Sequence, residues 1–518
     1  MTLNDGTYCG LEAYLFFHIG QGDMLCTLLI ILVLQAEMPL PQATGNEASM
    51  PGPESRLVSW SSPDDPENPK NWTMARKWAA TIAVSLFTFI SPVSSSMVAP
   101  ALTKIADELD IQSEVETQLT LSIFVLAYAV GPLCLGPVSE MFGRTRVLQF
   151  SNLCYVGWNL GCGFAQTEGQ LIAFRFMSGI AGSAPLAIGG GVLSDCWNAD
   201  QRGKAVGIYS LAPLLGPVVG PIAGGFIAES TTWRWVFWST SIAGVVIQLF
   251  GLLFLPETHA PTLLKRKAKT LGEKSGHTYH TEFDSSQSLL SSLKTSLIRP
   301  FKMLTTQPII QIIALYMAYL FGLFYLLLST FPGVWEGVYQ ESIGIGGPNY
   351  ISLGIGFVLG AQVNARVSDR IYRRLKLERN NTGIPEFRIP AMFVGSVFIP
   401  IGLFWYGWSV QAHIHWVMPN IGIVLFSIGS IICLQCMQTY VIDSYTRFAA
   451  SGLAAAVVLR SLAGFGFPLF APYMYRSLQY GWGNSLLGLL SIVMGIPTPF
   501  VFWFLGERLR GTSQYASG

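Results

Sequence analysis

The chain has 518 residues, 51% of them hydrophobic and 12% charged. A soluble domain carries about 25% charged residues, so this composition, with a mean hydropathy of +0.45, excludes an ordinary soluble domain and reads as a polytopic membrane protein. A formal net charge of +1 leaves no basic footprint for nucleic acid, and the eight cysteines, mostly inside apolar runs, exclude a disulfide scaffold.

Residues 1–55 hold no Lys or Arg. Met24–Leu34 is apolar but falls short of the roughly 20 residues of a span. It also lacks the basic flank of a signal peptide. An interfacial or disordered stretch is expected there, with Met38 or Met50 as an alternative start. Ser61–Lys70 is polar and rich in Pro, Asp and Asn, so a largely disordered cytosolic tail is expected over 1–77.

Twelve apolar segments follow, at about 78–101, 119–139, 147–166, 170–193, 204–228, 233–255, 308–330, 347–365, 389–408, 416–438, 449–474 and 484–506. They predict an all-α membrane protein of two six-helix halves, 78–255 and 308–506. A cytosolic loop, 256–307, joins the halves, and a short tail, 507–518, ends the chain. Lys and Arg fix the orientation. With both termini inside, 26 fall on the inner side and three, Lys104, Arg234 and Arg476, on the outer. The halves echo each other: GPVSEMFGRTRV after span two faces NARVSDRIYRRLK after span eight. Such weak duplication is expected of a secondary transporter built on repeats.

Between spans two and three, Gly143 permits a tight turn. Glu140 can pair with a cation across the loop, and Arg144 and Arg146 sit where helix ends and anionic lipid attract cations. Arg175 lies inside span four, where a charge costs several kcal/mol and is functional by default, with an arginine merely bonding nearby carbonyls as the alternative. Span five carries LAPLLGPVVGPIAGGFIA. Its Gly216, Gly220 and Gly224 form one bare helical stripe, and Pro213, Pro217 and Pro221 repeat beside it. A bilayer tolerates such a helix, and the stripe admits a close partner backbone.

These features resemble the major facilitator superfamily. Gly136–Arg146 resembles its inner-loop motif, which in the family latches the outward-facing state; here the last base comes one residue early, at Arg146. Arg175, Gly179 and Gly182 resemble the fourth-helix motif, whose arginine is implicated in proton coupling. Gly216-Pro217, Gly220-Pro221 and Gly224 resemble the fifth-helix motif that marks antiporters. Further matches are Asn68–Trp72, Tyr128–Pro132, Trp233–Phe237, Leu255–Thr258, Arg460-Ser461, Phe467–Phe470 and Gly506–Arg508. They resemble fungal twelve-span drug:proton antiporters. The resemblance implies proton-driven export of small amphiphilic drugs, toxins or secondary metabolites at the plasma membrane. It implies a monomer with no cofactor and no enzymatic activity. A nutrient or siderophore uptake symporter stays open on the same fold, and a non-transporting sensor more remotely.

Arg175 and Arg460 are the charges deep in spans, and no Asp or Glu lies at a span centre. A cavity without buried acids cannot replace the hydration of a polycation, so neutral or anionic amphiphiles are expected. Asp195 and Asp443 take matching places after spans four and ten and could cap helices or carry protons. Asn152, Asn159, Gln311, Tyr316, Tyr319, Phe324 and Gln362 are the candidate cavity residues, with interhelical packing as the alternative. Neither His413 with His415 nor Cys433 with Cys436 makes a metal site.

Overall fold

A computed structural model describes residues 56–283 and 289–516; the expectation for residues 1–55 lies outside them. In hydrocarbon every backbone amide must bond within its own segment, so the apolar runs become helices. Ten continuous helical stretches are long and apolar enough to cross a membrane. Ala449–Gly511 holds two spans, because the backbone breaks at Gln479 (φ 58°, ψ 178°). Arg144–Gly163 is the twelfth, about 30 Å long at 1.5 Å per residue; Gln149, Asn152 and Asn159 make it more polar than its neighbours.

The first six spans are Met74–Ser96, Glu114–Phe142, Arg144–Gly163, Glu168–Cys196, Ala199–Ser230 and Arg234–Phe254. Spans seven to ten are Pro308–Pro332, Ile351–Glu378, Pro390–Gln411 and Val417–Ser444. Spans eleven and twelve lie on either side of Gln479. Span four is interrupted at Ser183, between Glu168–Gly182 and Ala184–Cys196. Within the halves, span one packs on five, three on six, seven on eleven and nine on ten. The seams between the halves run where two meets eleven and five meets eight.

Both ends of the twelve-span bundle and the central connection share one face, here the basic face. There β1 (Arg56–Val58) pairs in parallel with β2 (Tyr279–Thr281), Arg56 opposite Tyr279. The helix Ala260–Ser275 packs beside them, burying Val58, Leu264 and Ala268 together. Residues 56–73, expected to be mostly unstructured, are tied down. Asp65 accepts the Ser61 amide at 2.8 Å and the Glu67 amide at 2.9 Å, and Lys267 Nζ lies 3.2 Å away. Those two amides, then Lys267, hold the Asp65 carboxyl down to about 2 against the cost of burial. The helix Leu289–Thr306 lies between spans two and eleven, with Leu297 against Ala129, Leu133, Ala454 and Val458.

Candidate functional site

Arg175 is fully buried, and carbonyls from two other spans surround it. Its Nε donates to Thr120 O at 3.0 Å, Nη1 to Ser94 O at 3.0 Å, and Nη2 to Ser95 O and Leu121 O at 3.3 Å. Span one ends its helix at Ser96, so the carbonyls of Ser94 and Ser95 belong to a last turn without intrahelical partners. The guanidinium therefore caps the negative end of span one. Phe124 covers one face of it, its ring centroid 4.9 Å away.

The seam between the halves carries a polar thread. Ser91 Oγ and Tyr128 Oη lie 2.6 Å apart. Ser95 Oγ and Tyr325 Oη, 3.1 Å apart, bridge the first half to the second. Arg460 of span eleven lies over Phe321 at 4.9 Å, with Tyr325 and Tyr128 near enough to act on its charge. Its Nε is buried without a hydrogen-bond partner among the described residues. Gly464, one turn on, is where three spans converge. An added Cβ would meet Phe321 at 3.0 Å, Val125 at 3.1 Å and Tyr325 at 3.2 Å. Sequence reasoning singled out Arg460 but not Phe321, Tyr325 or the serines. The run Ser94–Ser96 in an apolar helix and Tyr128 in its motif were the available signals.

The span-five stripe does what bare glycines permit. Gly216, Gly220 and Gly224 lie against Pro92, Val93, Ser96 and Met97 of span one. A Cβ on Gly220 would sit 2.8 Å from Val93 O and 3.1 Å from the Met97 amide. Ser96 Oγ reaches Gly216 O at 3.4 Å. Pro213, Pro217 and Pro221 sit inside a helix that runs unbroken over Ala199–Ser230. Farther along, Gly225 approaches Ile343 O, joining span five to the entry of span eight.

On the basic face the two halves hold matching pairs. Arg144 Nε lies 3.2 Å from Asp195, and Arg388 Nε 3.0 Å from Asp443, with Asp369 3.4 Å from Arg388 Nη1. Gly143 turns with φ +100°, a region that L side chains rarely adopt. It leaves room for Glu257, whose Oε1 accepts the amides of Arg144 at 2.9 Å and of Thr258 and His259 at 3.1 Å. Burial, then Arg144 and Lys265, pushes the His259 imidazole down to about 4. Glu140 is exposed and forms no ion pair among the described residues. Asp195 takes the guanidinium instead, and Glu257 takes the Arg144 backbone amide. A cleft of about 440 Å³ between spans two, four and eleven is lined by Glu140, Arg144, Pro300 and Val458.

The remaining candidate residues do not gather in one cavity. Asn152 donates to Gln248 at 2.8 Å and to Gly244 O at 3.2 Å. Asn159 donates to Phe237 O, Thr240 and Ser241 at 2.8–2.9 Å, and accepts from Ser94 at 3.1 Å. Both thus join span three to span six. Gln311 is exposed and donates to Thr305 O at 3.0 Å, and Gln362 is exposed. Tyr316 is buried beside Cys433, and Tyr319 donates to Leu487 O and meets Phe467 edge-on. Phe324 does face the seam region, packed on Phe321, Tyr325 and Phe357.

The matching family model is that of the Major Facilitator Superfamily, over residues 84–468. The chain is 56% identical over 480 residues to efflux pump vrtL of Penicillium aethiopicum, covering 92% of this chain and 95% of that protein. It is 40% identical over 465 residues to efflux pump radE of Floropilus chiversii, covering 89% and 86%. Its fold is similar to a partially occluded inward-open conformation of the xylose transporter XylE from E. coli. That match has a TM-score of 0.61 and 16% identity, over 83% of this chain and 97% of that one.

Proposed function

Because this chain belongs to the Major Facilitator Superfamily, we propose that it is a proton-coupled exporter of small amphiphilic compounds. It is a multi-pass membrane transporter rather than an enzyme. The observation that carries export is the stripe of span five seated on the backbone of span one. Two relatives that share most of the chain are named efflux pumps.

In this reading the basic face is cytosolic, with both termini and the loop 256–307, and the protein works as a monomer in the plasma membrane. The tail 1–77, the halves 78–255 and 308–506, and the tail 507–518 are the working parts. The halves rock about the seam that holds Tyr128, Tyr325 and Arg460, exposing it to one side and then the other. Arg175 ties spans one, two and four into one rigid unit. Arg144 with Asp195 and Arg388 with Asp443 form the cytosolic latch, with Gly143 shaping its turn and Glu140 standing exposed beside it. Each pair lies within one half, and Asp195 and Asp443 accept protons when a change within that half frees them from their arginines. The proton gradient supplies the energy, and the cargo is neutral or anionic.

The test is accumulation of a panel of amphiphilic toxins in a host stripped of its own pumps, with and without this chain. Export predicts lower accumulation, abolished by a protonophore. Raised accumulation would instead establish uptake, and a difference that survives the protonophore would remove the proton from the reading.

A further inference from the structure

We infer that Arg460 is the receptor for an anionic group, a carboxylate or an acidic enol or phenol, on the exported compound; this rests on the export reading and narrows its substrate class. Arg175 and Arg460, both within spans, differ in their surroundings: Arg175 is fully buried and Arg460 half-buried. Arg175 spends its hydrogen bonds on four carbonyls at 3.0–3.3 Å. Among the described residues the buried Nε of Arg460 has no partner, and no carboxylate is among the groups acting on its charge. A guanidinium does not give up its proton in a protein, and a cation left uncompensated at bilayer depth is expensive. Position and geometry make this cation a receiver. It lies eleven residues into span eleven, on the seam where the halves meet. The Phe321 ring lies against the guanidinium, its centroid 4.9 Å from Cζ. No hydrogen bond from the guanidinium occurs among the described residues, so its N–H fork is available to grip a carboxylate with two parallel bonds. Tyr128 and Tyr325 stand alongside, each already bonded to a serine of span one. An anion held there would touch both halves, as a cargo carried between two access states must.

The experiment measures export, by cells lacking other pumps, of a panel of aryl carboxylates that includes coumarin-3-carboxylic acid. Each acid is run beside its neutral carboxamide. Arg460→Gln is expected to lower export of the acids by about tenfold or more, the worth of one charge-assisted hydrogen bond, while the carboxamides change less than about twofold. Arg460→Lys should fall between, keeping the charge and losing the fork. Equal loss of acids and carboxamides, or loss of neither, overturns the inference. If the unmodified chain exports carboxamides but no acids, the inference fails and the export reading stands. Export of neither class sinks the export reading itself. Should Arg460→Gln fail to insert, Phe321→Leu is read instead. It is expected to weaken acid export several-fold with carboxamides unchanged, and parallel changes overturn the proposal.

Discussion

Gly207 and Gly220 lie on the same helix, and they differ in what surrounds them. A Cβ at Gly207 would meet nothing within 4 Å, whereas one at Gly220 would press on Val93 O at 2.8 Å. Backbone cannot move aside as a flexible side chain can, and overpacking a fitted contact costs about 1–3 kcal/mol. Gly220→Leu should therefore abolish export while the protein still reaches the membrane, and Gly207→Leu should export normally. Undiminished export by a fully inserted Gly220→Leu variant would show that the contact with span one is not needed. Arg175 allows a second residue-scale prediction. A lysine ammonium is a point donor that cannot span carbonyls on two helices, so Arg175→Lys loses at least one charged hydrogen bond, about 1.5–3 kcal/mol. A lower Tm of the purified protein checks it; an unchanged Tm would mean that the four carbonyls are better served by water. Much at this scale was legible beforehand. Glycines four apart imply a close partner whichever helix supplies it, and an arginine in an apolar run implies a demanding environment. Carbonyls were the alternative for Arg175, but which carbonyls satisfy it depended on where span one ends its helix, which no spacing encodes.

Elements on the basic face respond to pH in a definite direction. The His259 imidazole titrates at about 4, below the ordinary 6.5, because it is partly buried beside Arg144 and Lys265. Between those values the unfolded segment binds more protons than the folded one, so stability rises with pH. The contribution is complete above about pH 6.5 and is lost as the pH falls toward 4. Protection of the Thr258 and His259 amides, both bonded to Glu257, should therefore fall between pH 7 and pH 5 in hydrogen exchange. His259→Gln should flatten that dependence, and an equally steep fall in the variant would assign it to another group. The helix Leu289–Thr306 makes its own prediction. With Leu297 wedged between spans two and eleven, a cysteine placed at Leu133 should resist a water-soluble thiol reagent, and Leu297→Asp should expose it. Neither the helix nor the strand pair could be read from the polar composition of the loop, since β1 and β2 are more than 200 residues apart. Asn152 and Asn159 show the complementary limit. In lipid, the faces turned to other helices and to the acyl chains are equally apolar. A polar residue in a span thus reads as cavity or as glue with equal ease, and here both serve span six.

At the scale of the whole molecule, twelve spans and their division were legible because bilayer thickness fixes the length of each run. The break at Gln479 did not hide the last pair from sequence, since the polar residues between them mark the turn. The ion pair on the face opposite the basic one was not legible. There Glu114, at the start of span two, pairs with Arg476 near the end of span eleven, so one ion pair joins the halves across their seam. Both partners are exposed, and such pairs contribute about 0.2–1 kcal/mol. That is too little to hold a folded protein together but enough to bias two access states whose free energies are close. Beside the pair opens a cleft of about 670 Å³, lined by Thr117, Gln118, Ser329 and Tyr475. If the halves rock, breaking the pair should favour the state open on that face by about 1.4- to 5-fold, the population equivalent of that energy. Thr117→Cys reports on it: its labelling rate by an impermeant thiol reagent should rise by that factor when Glu114 becomes Gln. High salt should give the same rise in the parent and a smaller one in the variant, because screening acts on a charge that the variant no longer has. A labelling rate indifferent to both changes would mean that packing between spans five and eight, at Gly225 and Gly354, closes this face without help from the ion pair.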